Sequence, residues 1–237
     1  MITLDDLKSN RDTQITVACI AFFLIAFPLY FSSQGGIGSG SGAMGGVGDY
    51  NINGNLSYVE IADGIEYIAD GETFSIDDLH TDAIDGAEDM NIVGVRVVMS
   101  YGEDESGGNN PVICPGGQDG ADTISGTAMH AGFNGTADGQ NNGGSGAHDV
   151  TVEWFNSSMV GATVSGLSES AIVEQIDSMG AGLGTYSAEI SVDAETGNEV
   201  SALPQCQRSD EGEEVTYSVE LIVFDYTIAP AFDETEL

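Results

Sequence analysis

One stretch of the sequence carries oxygen ligands at the spacing of a calcium-binding loop. It matches the EF-hand loop pattern in full, with Gly54 at the sharp turn, and its oxygen atoms would be hard ligands for Ca²⁺. The ligand positions are Asp49, Asn51, Asn53, Asn55, Ser57 and Glu60. The helices of an EF-hand are missing, because a glycine-rich stretch precedes this segment and a strand-like run follows it. Ca²⁺ is therefore the one candidate cofactor, and the alternative is a hairpin that turns at Asn53-Gly54.

Residue types that catalyse reactions are present, but they form no recognisable catalytic motif. The three histidines, His80, His130 and His148, are scattered, and the G-x-S-x-G, H-E-x-x-H and P-loop patterns do not occur. Paired carboxylates for glycoside hydrolysis cannot be singled out among 39 acidic residues. The acidic clusters at 77–89 and 103–105 are explained as well by solvation as by cation binding. We therefore expect a non-enzymatic protein, and an ectoenzyme is the least favoured alternative.

The charge balance excludes one class of function. The chain of 237 residues has four Lys and Arg against 39 Asp and Glu, which gives a formal net charge of −35. Nucleic-acid binding is excluded, because phosphate contacts need clustered lysine and arginine. The acidic residues are spread along the chain, which favours adaptation to high salt, where a Debye length near ~3 Å screens self-repulsion. The alternative is that the acidic residues recruit cations or a basic partner.

An apolar segment near the N-terminus, residues 15–33, predicts a single membrane span. No charged side chain occurs from Ile15 to Phe31, a length of about 25 Å as a helix. Lys8 and Arg11 precede the segment, and by the positive-inside rule they keep the N-terminus in the cytoplasm. The rest of the chain is then extracellular. A cleaved signal peptide is the alternative, but Ser33-Gln34-Gly35 is a poor cleavage site.

The sequence divides into five parts on this topology. They are a cytoplasmic N-terminus (1–14), a transmembrane signal-anchor (15–33), a Gly/Ser linker (34–48), an acidic β-sandwich ectodomain (49–229) and an acidic C-terminal tail (230–237). The linker is flexible in composition and short, so the ectodomain is expected to stay close to the membrane.

Cys114 and Cys206 both follow the predicted membrane span, on the side where thiols oxidise to disulfides. We predict a disulfide between them, which would close a loop of about ninety residues. Neither cysteine has a second cysteine or a histidine at metal-ligand spacing, so a metal site is not expected. Cys19 lies inside the apolar segment and is expected to be inert.

Three N-glycosylation sequons also follow the membrane span, at Asn55, Asn134 and Asn156. Their position agrees with an extracellular domain. The pattern is short, and chance matches are expected in a chain rich in Asn, Ser and Gly, so each is a candidate glycosylation site only.

The elements that must position these residues are mostly strands. Apolar residues alternate at 93–101, 150–154, 186–192 and 215–228. In the last run they change face near Ile222, which indicates either a bulge or a strand that passes between two sheets. One amphipathic helix is predicted from Ser168 to Met179, with Gly180 as its stop. The ranges 102–122 and 134–148 are expected to be long loops. Many strands and one short helix predict a mainly β fold, an antiparallel β-sandwich of Ig-like or jelly-roll-like type.

The overall layout resembles membrane-anchored surface and envelope proteins of salt-adapted archaea, which combine a short anchor, a Gly/Ser linker and an acidic β-sandwich. The resemblance rests on architecture and composition, without a family motif, and implies no functional residue. It implies a cell-surface interaction or structural module whose partners are the membrane and a surface-layer, appendage or other envelope protein. A Ca²⁺- or ligand-binding surface protein is the alternative.

Overall fold

The computed structural model describes residues 22–23, 45–102, 105–107, 114, 118–141, 144–198 and 204–231. The chain forms two units, Met1–Gly48 and Asp49–Leu237. In the first unit, Phe22 and Phe23 are helical and their rings meet edge to face at 5.6 Å. The rest of the predicted transmembrane segment lies outside the described residues. Within the described ranges, no helix is long and apolar enough to cross a membrane.

The second unit, called the β domain below, is built from eleven described strands. They are β1 (Gly48–Ala69), β2 (Thr73–His80), β3 (Ile92–Gly102), β4 (Ser106–Gly107), β5 (Thr123–His130), β6 (Phe133–Gln140), β7 (Ser145–Glu153), β8 (Thr163–Leu167), β9 (Thr185–Asp193), β10 (Arg208–Ser209) and β11 (Gly212–Pro230). The first sheet has the order β7-β3-β11-β1-β8, the second sheet the order β2-β9-β5-β6, and β4 pairs with β10 in a short ribbon. The prediction of a mainly β fold with two antiparallel sheets and one helix is confirmed.

The apolar alternation of the sequence produces the main core. Inward-facing side chains of both sheets form one buried cluster, because every second residue of a strand points to the same face. From the first sheet the cluster includes Val95, Val97, Met99, Val150, Val219 and Leu221, and from the second sheet Ile124, Ala128, Tyr186, Ala188, Ile190 and Val192. Burial of these side chains away from water is what holds the two sheets together.

A second, smaller core lies beneath the helix Glu169–Ile176. It contains Ile172 and Ile176 of the helix together with Ile222 and Phe224 of β11. Neighbouring residues of β11 such as Leu221 belong instead to the main core. Both faces of β11 are therefore buried at this point, and its pairing with β3 shifts register between Ile222 and Val223. A register shift therefore lies where the change of face predicts a bulge or a strand that passes between two sheets.

The helix is present at the predicted position but ends earlier than expected. Ser168 caps it, and its Oγ accepts the Ala171 N–H at 3.2 Å. The last helical residue is Ile176, and Asp177 is extended. Met179 has a φ of 51° and is exposed, so it does not continue the apolar face of the helix. The helix joins β8 of the first sheet to β9 of the second.

Two local predictions are wrong. The expected turn at Asn53-Gly54 lies inside β1, where a Cβ on Gly54 would come within 2.3 Å of the Asp225 carbonyl oxygen. This glycine therefore permits close backbone approach and does not mark a turn. The expected loop at 134–148 consists largely of β6 and β7. Its Gly139 lies against the side chains of Tyr101 and His148, so small residues there make room for packing between the sheets.

The strands β1 and β11 pair antiparallel along their length and set the long axis of the β domain. At one end, the Ala231 N–H donates to the Asp49 carbonyl at 2.8 Å, so both chain ends of the described domain lie together. At the other end, the Asp70 N–H donates to the Glu211 carbonyl at 2.9 Å. A strand advances about 3.3 Å per residue, so the two ends are roughly 70 Å apart along β1.

Candidate functional site

Several polar side chains that belong to no sequence motif lie together at one end of the β domain, the end away from Asp49 and Ala231. We call it the tip, and it comprises the described residues 105–107, 114, 118–122, 141, 194–198 and 204–213. It lies where β1, β5, β6, β9 and β11 begin or end. Connections between strands gather at such an end, and they bring side chains from distant parts of the sequence into contact.

A buried ion pair organises the tip. Arg208 donates to Glu105 Oε2 at 3.0 Å and to Asp119 Oδ1 at 2.7 Å. The Arg208 side chain is 4% exposed and that of Glu105 is fully buried. Glu105 also accepts the backbone N–H groups of Gly197 at 2.9 Å and Gly120 at 3.0 Å. These bonds compensate the desolvation of the carboxylate, which would otherwise be strongly unfavourable.

The predicted disulfide between Cys114 and Cys206 is present in the tip. Their Cα atoms are 5.5 Å apart, 92 positions separate them in sequence, and both residues are buried. The bridge links the segment after β3 to the segment before β11, beside the β4–β10 ribbon. The ion pair and the disulfide therefore join the same two segments.

A second buried network lies at the ends of β5 and β11. The Asn141 amide donates to Asp122 Oδ2 at 2.6 Å and to Glu213 Oε1 at 3.2 Å, and its Oδ1 accepts the Asp122 N–H at 3.1 Å. Asp122 Oδ1 accepts the Glu195 N–H at 2.7 Å. Asp122 and Glu213 are completely buried. Two acidic side chains are thus held rigidly inside the tip, and one amide group bridges them.

Asp122, Asp210 and Glu213 each place a carboxylate oxygen within 4.8 Å of the other two, which is close enough for one hard cation. They are the residues of the described ranges whose geometry is suited to a metal ion. Clustered carboxylates also occur without an ion in so acidic a chain, and we assign none here.

The residues of the predicted calcium loop lie along β1 and are not brought together. An extended strand separates Asp49 from Glu60 by roughly 35 Å, whereas Ca²⁺ ligands lie about 2.4 Å from one ion. Several of the side chains have partners within the first sheet. Asn51 Oδ1 accepts the Thr163 hydroxyl at 2.6 Å, and Glu60 Oε2 accepts the Ser218 hydroxyl at 3.2 Å.

The three sequon asparagines differ in how they are placed. Asn55 on β1 and Asn134 on β6 are exposed. Asn156 is half-buried, and its amide donates to Gln175 Oε1 at 3.1 Å, so its nitrogen is less accessible to a glycan than those of the two exposed asparagines. Glycosylation at all three stays a prediction, and the geometry favours Asn55 and Asn134 over Asn156.

The histidines contact structural partners. His130 is buried, its Nδ1 and Nε2 lie 3.0 and 2.7 Å from the carbonyl oxygens of Thr185 and Ala181, and its ring stacks on Tyr186. Burial also raises the pKa of Tyr186. His148 Nδ1 lies 3.1 Å from the Tyr101 hydroxyl. None of these described contacts pairs a histidine with a serine or cysteine nucleophile, which is one common arrangement for covalent catalysis.

Both arginines of the β domain form ion pairs. Arg96 and Arg208 are the Lys or Arg residues after position 48. Arg96 Nε donates to Glu220 Oε2 at 3.0 Å across the sheet, and its guanidinium lies 3.8 Å from the Tyr58 ring centroid. The acidic partner of Arg96 is therefore its cross-strand neighbour Glu220 on the same sheet. Two arginines are thus set against the many acidic residues of the β domain.

Comparison with known proteins identifies no relative. The sequence matches no protein-family model, and it shows no significant similarity to any curated protein. The function is therefore inferred from the chain's own geometry and charge.

Proposed function

We propose that this chain is a membrane-anchored surface module, non-enzymatic, whose β domain contacts another component of the cell envelope. The observation that carries the proposal is the hydrogen bond between Ala231 and Asp49, which brings the first and the last described residues of the β domain to the same end. A domain tethered through Asp49 has its tip at the opposite end, roughly 70 Å along β1. Such a domain is attached at one end and offers its tip and its sheet edges to partners.

The charge of the domain supports a partner of opposite charge. With Arg96 and Arg208 engaged in ion pairs, the surface contributed by Lys, Arg, Asp and Glu is anionic. A protein partner would then bind through lysine and arginine or through bridging cations. We propose a surface-layer, appendage or other envelope protein as this partner, in a salt-adapted archaeal cell with the N-terminus in the cytoplasm.

Within this proposal the two sheets form a sandwich of Ig-like or jelly-roll-like type. The main core formed jointly by both sheets supports a two-layer arrangement. Glycans at the exposed Asn55 and Asn134 would further increase the solubility of an extracellular surface.

Carbodiimide cross-linking in native membranes tests the proposed function. The reagent joins carboxylates to amines, and the chain has one lysine, Lys8, so a product on the β domain reports a partner's lysine. We expect a discrete cross-linked product, and we expect protease added outside intact cells to digest the β domain. A β domain that is protected from outside protease, or that yields no cross-linked product, overturns the proposal.

A further inference from the structure

In its second half, β1 directs backbone N–H and C=O groups away from β11 on an edge that no described strand pairs with. The Asp70 N–H donates to the Glu211 carbonyl, one position beyond the Ala69–Gly212 pair. Because hydrogen-bonded pairs alternate along an antiparallel ladder, the backbone groups of residues 68, 66 and 64 also point towards β11. The residues between them, including Asp63 and Ile65, direct their N–H and C=O groups away from β11. We call the segment from Asp63 to Glu66 the β1 edge.

The strand on that side of β1 does not reach the β1 edge. In the described part of the chain this strand is β8, which has five residues. The described contacts between them are near the start of β1, where Ile52 donates its N–H to the Ala162 carbonyl at 2.9 Å and the Thr163 hydroxyl donates to Asn51 Oδ1. The β1 edge lies more than ten residues further along β1, beyond the reach of a five-residue strand.

The edge strand of the second sheet on the same side of the domain differs from β1. The pairing of β2 with β9 shifts register between Ile76 and Leu79, and Asp78 has a φ of 58°. A bulge of this kind twists an edge away from incoming strands and is a common protection of natural sheets. In β1 the register shift lies before the segment, at Glu60/Ala62, and the pairing is regular from Ala62 to Ala69.

The side chains along the β1 edge indicate what kind of strand would fit. Ile65 is 63% exposed, although isoleucine is among the residues most often buried. Asp63 and Glu66 are exposed on either side of it, and Glu60 is exposed just before the segment. An added strand would therefore place its own side chains next to one apolar and several acidic groups.

We propose that the β1 edge binds an extended, lysine- or arginine-rich segment of a partner protein as an additional strand of the first sheet. This inference rests on the proposed function and names the partner's chemistry. Charge favours a basic partner over a second copy of the chain. A second copy would place its own Asp63 and Glu66 against those of the first, and each chain carries a net charge of −35. A basic segment instead places cations beside Asp63 and Glu66, while backbone hydrogen bonds to Asp63 and Ile65 supply much of the affinity.

Peptide binding to the full-length chain in detergent tests the inference. The probe is a capped peptide in which lysine alternates with valine, and the control peptide has glutamate in place of lysine. We expect the lysine peptide to bind, the glutamate peptide not to bind, and Ile65→Pro to weaken binding about tenfold by removing an outward N–H. Ile65→Ala keeps that N–H and should bind within about twofold of the wild type. Equal losses in the two variants would show side-chain contact without strand addition and would overturn the proposal.

Hydrogen exchange gives a second measurement that needs no variant. The lysine peptide should slow exchange of the Asp63 and Ile65 amides in the wild-type chain, and unchanged exchange at saturating peptide contradicts strand addition. If the wild type self-associates and Ile65→Pro abolishes that association, the occupant of the β1 edge is a second copy of the chain, and the proposal of a basic partner is wrong. In the membrane cross-linking experiment, equal products from wild type and Ile65→Pro would leave the proposed function intact and reject the β1 edge as its site.

Discussion

The two arginines of the β domain have different surroundings, and only one of them could be interpreted from sequence. Arg96 lies in a strand with clear alternation, so its outward face and its acidic neighbour could be predicted. Arg208 lies in a short ribbon between irregular segments, without periodicity. Its partner Glu105 is 103 positions away, and no local pattern connects them. The proximity of Arg208 to Cys206 in an otherwise cation-free stretch is the one sequence feature that could have marked the tip.

Replacing Arg208 should destabilise the domain far more than replacing Arg96. Arg208→Met leaves the Glu105 carboxylate buried without its cation, and breaking a buried pair in this way costs about 3–5 kcal/mol of unfolding free energy. Arg96→Met removes a partly exposed pair and should cost about 1 kcal/mol. Denaturant unfolding of both variants measures the difference. Similar losses in the two proteins would mean that the buried ion pair does not hold the tip together.

At the level of elements, the strands with strict alternation and the capped helix were predictable, because their patterns are local. The strands β6 and β7 were not predicted throughout, since glycine, asparagine and aspartate are depleted in strands and usually mark loops. Here the small residues of β6 are required by packing against Tyr101 and His148, a constraint that only the three-dimensional structure reveals. The order of strands in the sheets depends likewise on long-range pairing.

A hydrogen bond just after the helix joins this segment to β11, and its contribution to stability should depend on pH. The Tyr226 hydroxyl donates to Asp177 Oδ2 at 2.8 Å, just after the last helical turn. Burial, this hydrogen bond, and the charges of Asp177 and Glu169 raise the pKa of Tyr226 to about 12. The folded pKa lies above the unfolded value near 10, so the contribution to stability is complete below about pH 10 and is lost as the pH rises through about 12.

Tyr226→Phe should therefore lower the unfolding free energy at neutral pH by about 1.5–3 kcal/mol, the range for a hydrogen bond to a charged group. The difference between variant and wild type should shrink between about pH 10 and about pH 12. Denaturant unfolding across this range is the measurement. Tyr58→Phe, at an exposed tyrosine, is the matched control and should have little effect throughout. A Tyr226→Phe deficit that stays constant to high pH would contradict the role of the hydroxyl proton.

At the level of the whole molecule, charge is the property that sequence and structure describe most consistently. The sequence gives a net charge of −35, and the structure shows that the two arginines of the β domain are engaged in ion pairs. The exposed carboxylates therefore repel each other, with only two arginines in the β domain to offset them. This repulsion acts on the compact state more than on the expanded one, so folding should require screening by salt.

Dilution of salt should consequently lower the melting temperature of the β domain. When the ionic strength falls from about 1 M to about 0.1 M, the Debye length grows from ~3 Å to ~10 Å, and more carboxylate pairs repel one another. Thermal unfolding of the full-length chain at both salt concentrations measures the effect. A variant in which Glu60, Asp63 and Glu66 are changed to Gln, Asn and Gln removes three exposed charges and should lose less stability on dilution. A wild-type melting temperature that does not change with salt would contradict adaptation to high salt, and the acidic surface would then have to be explained by its partners alone.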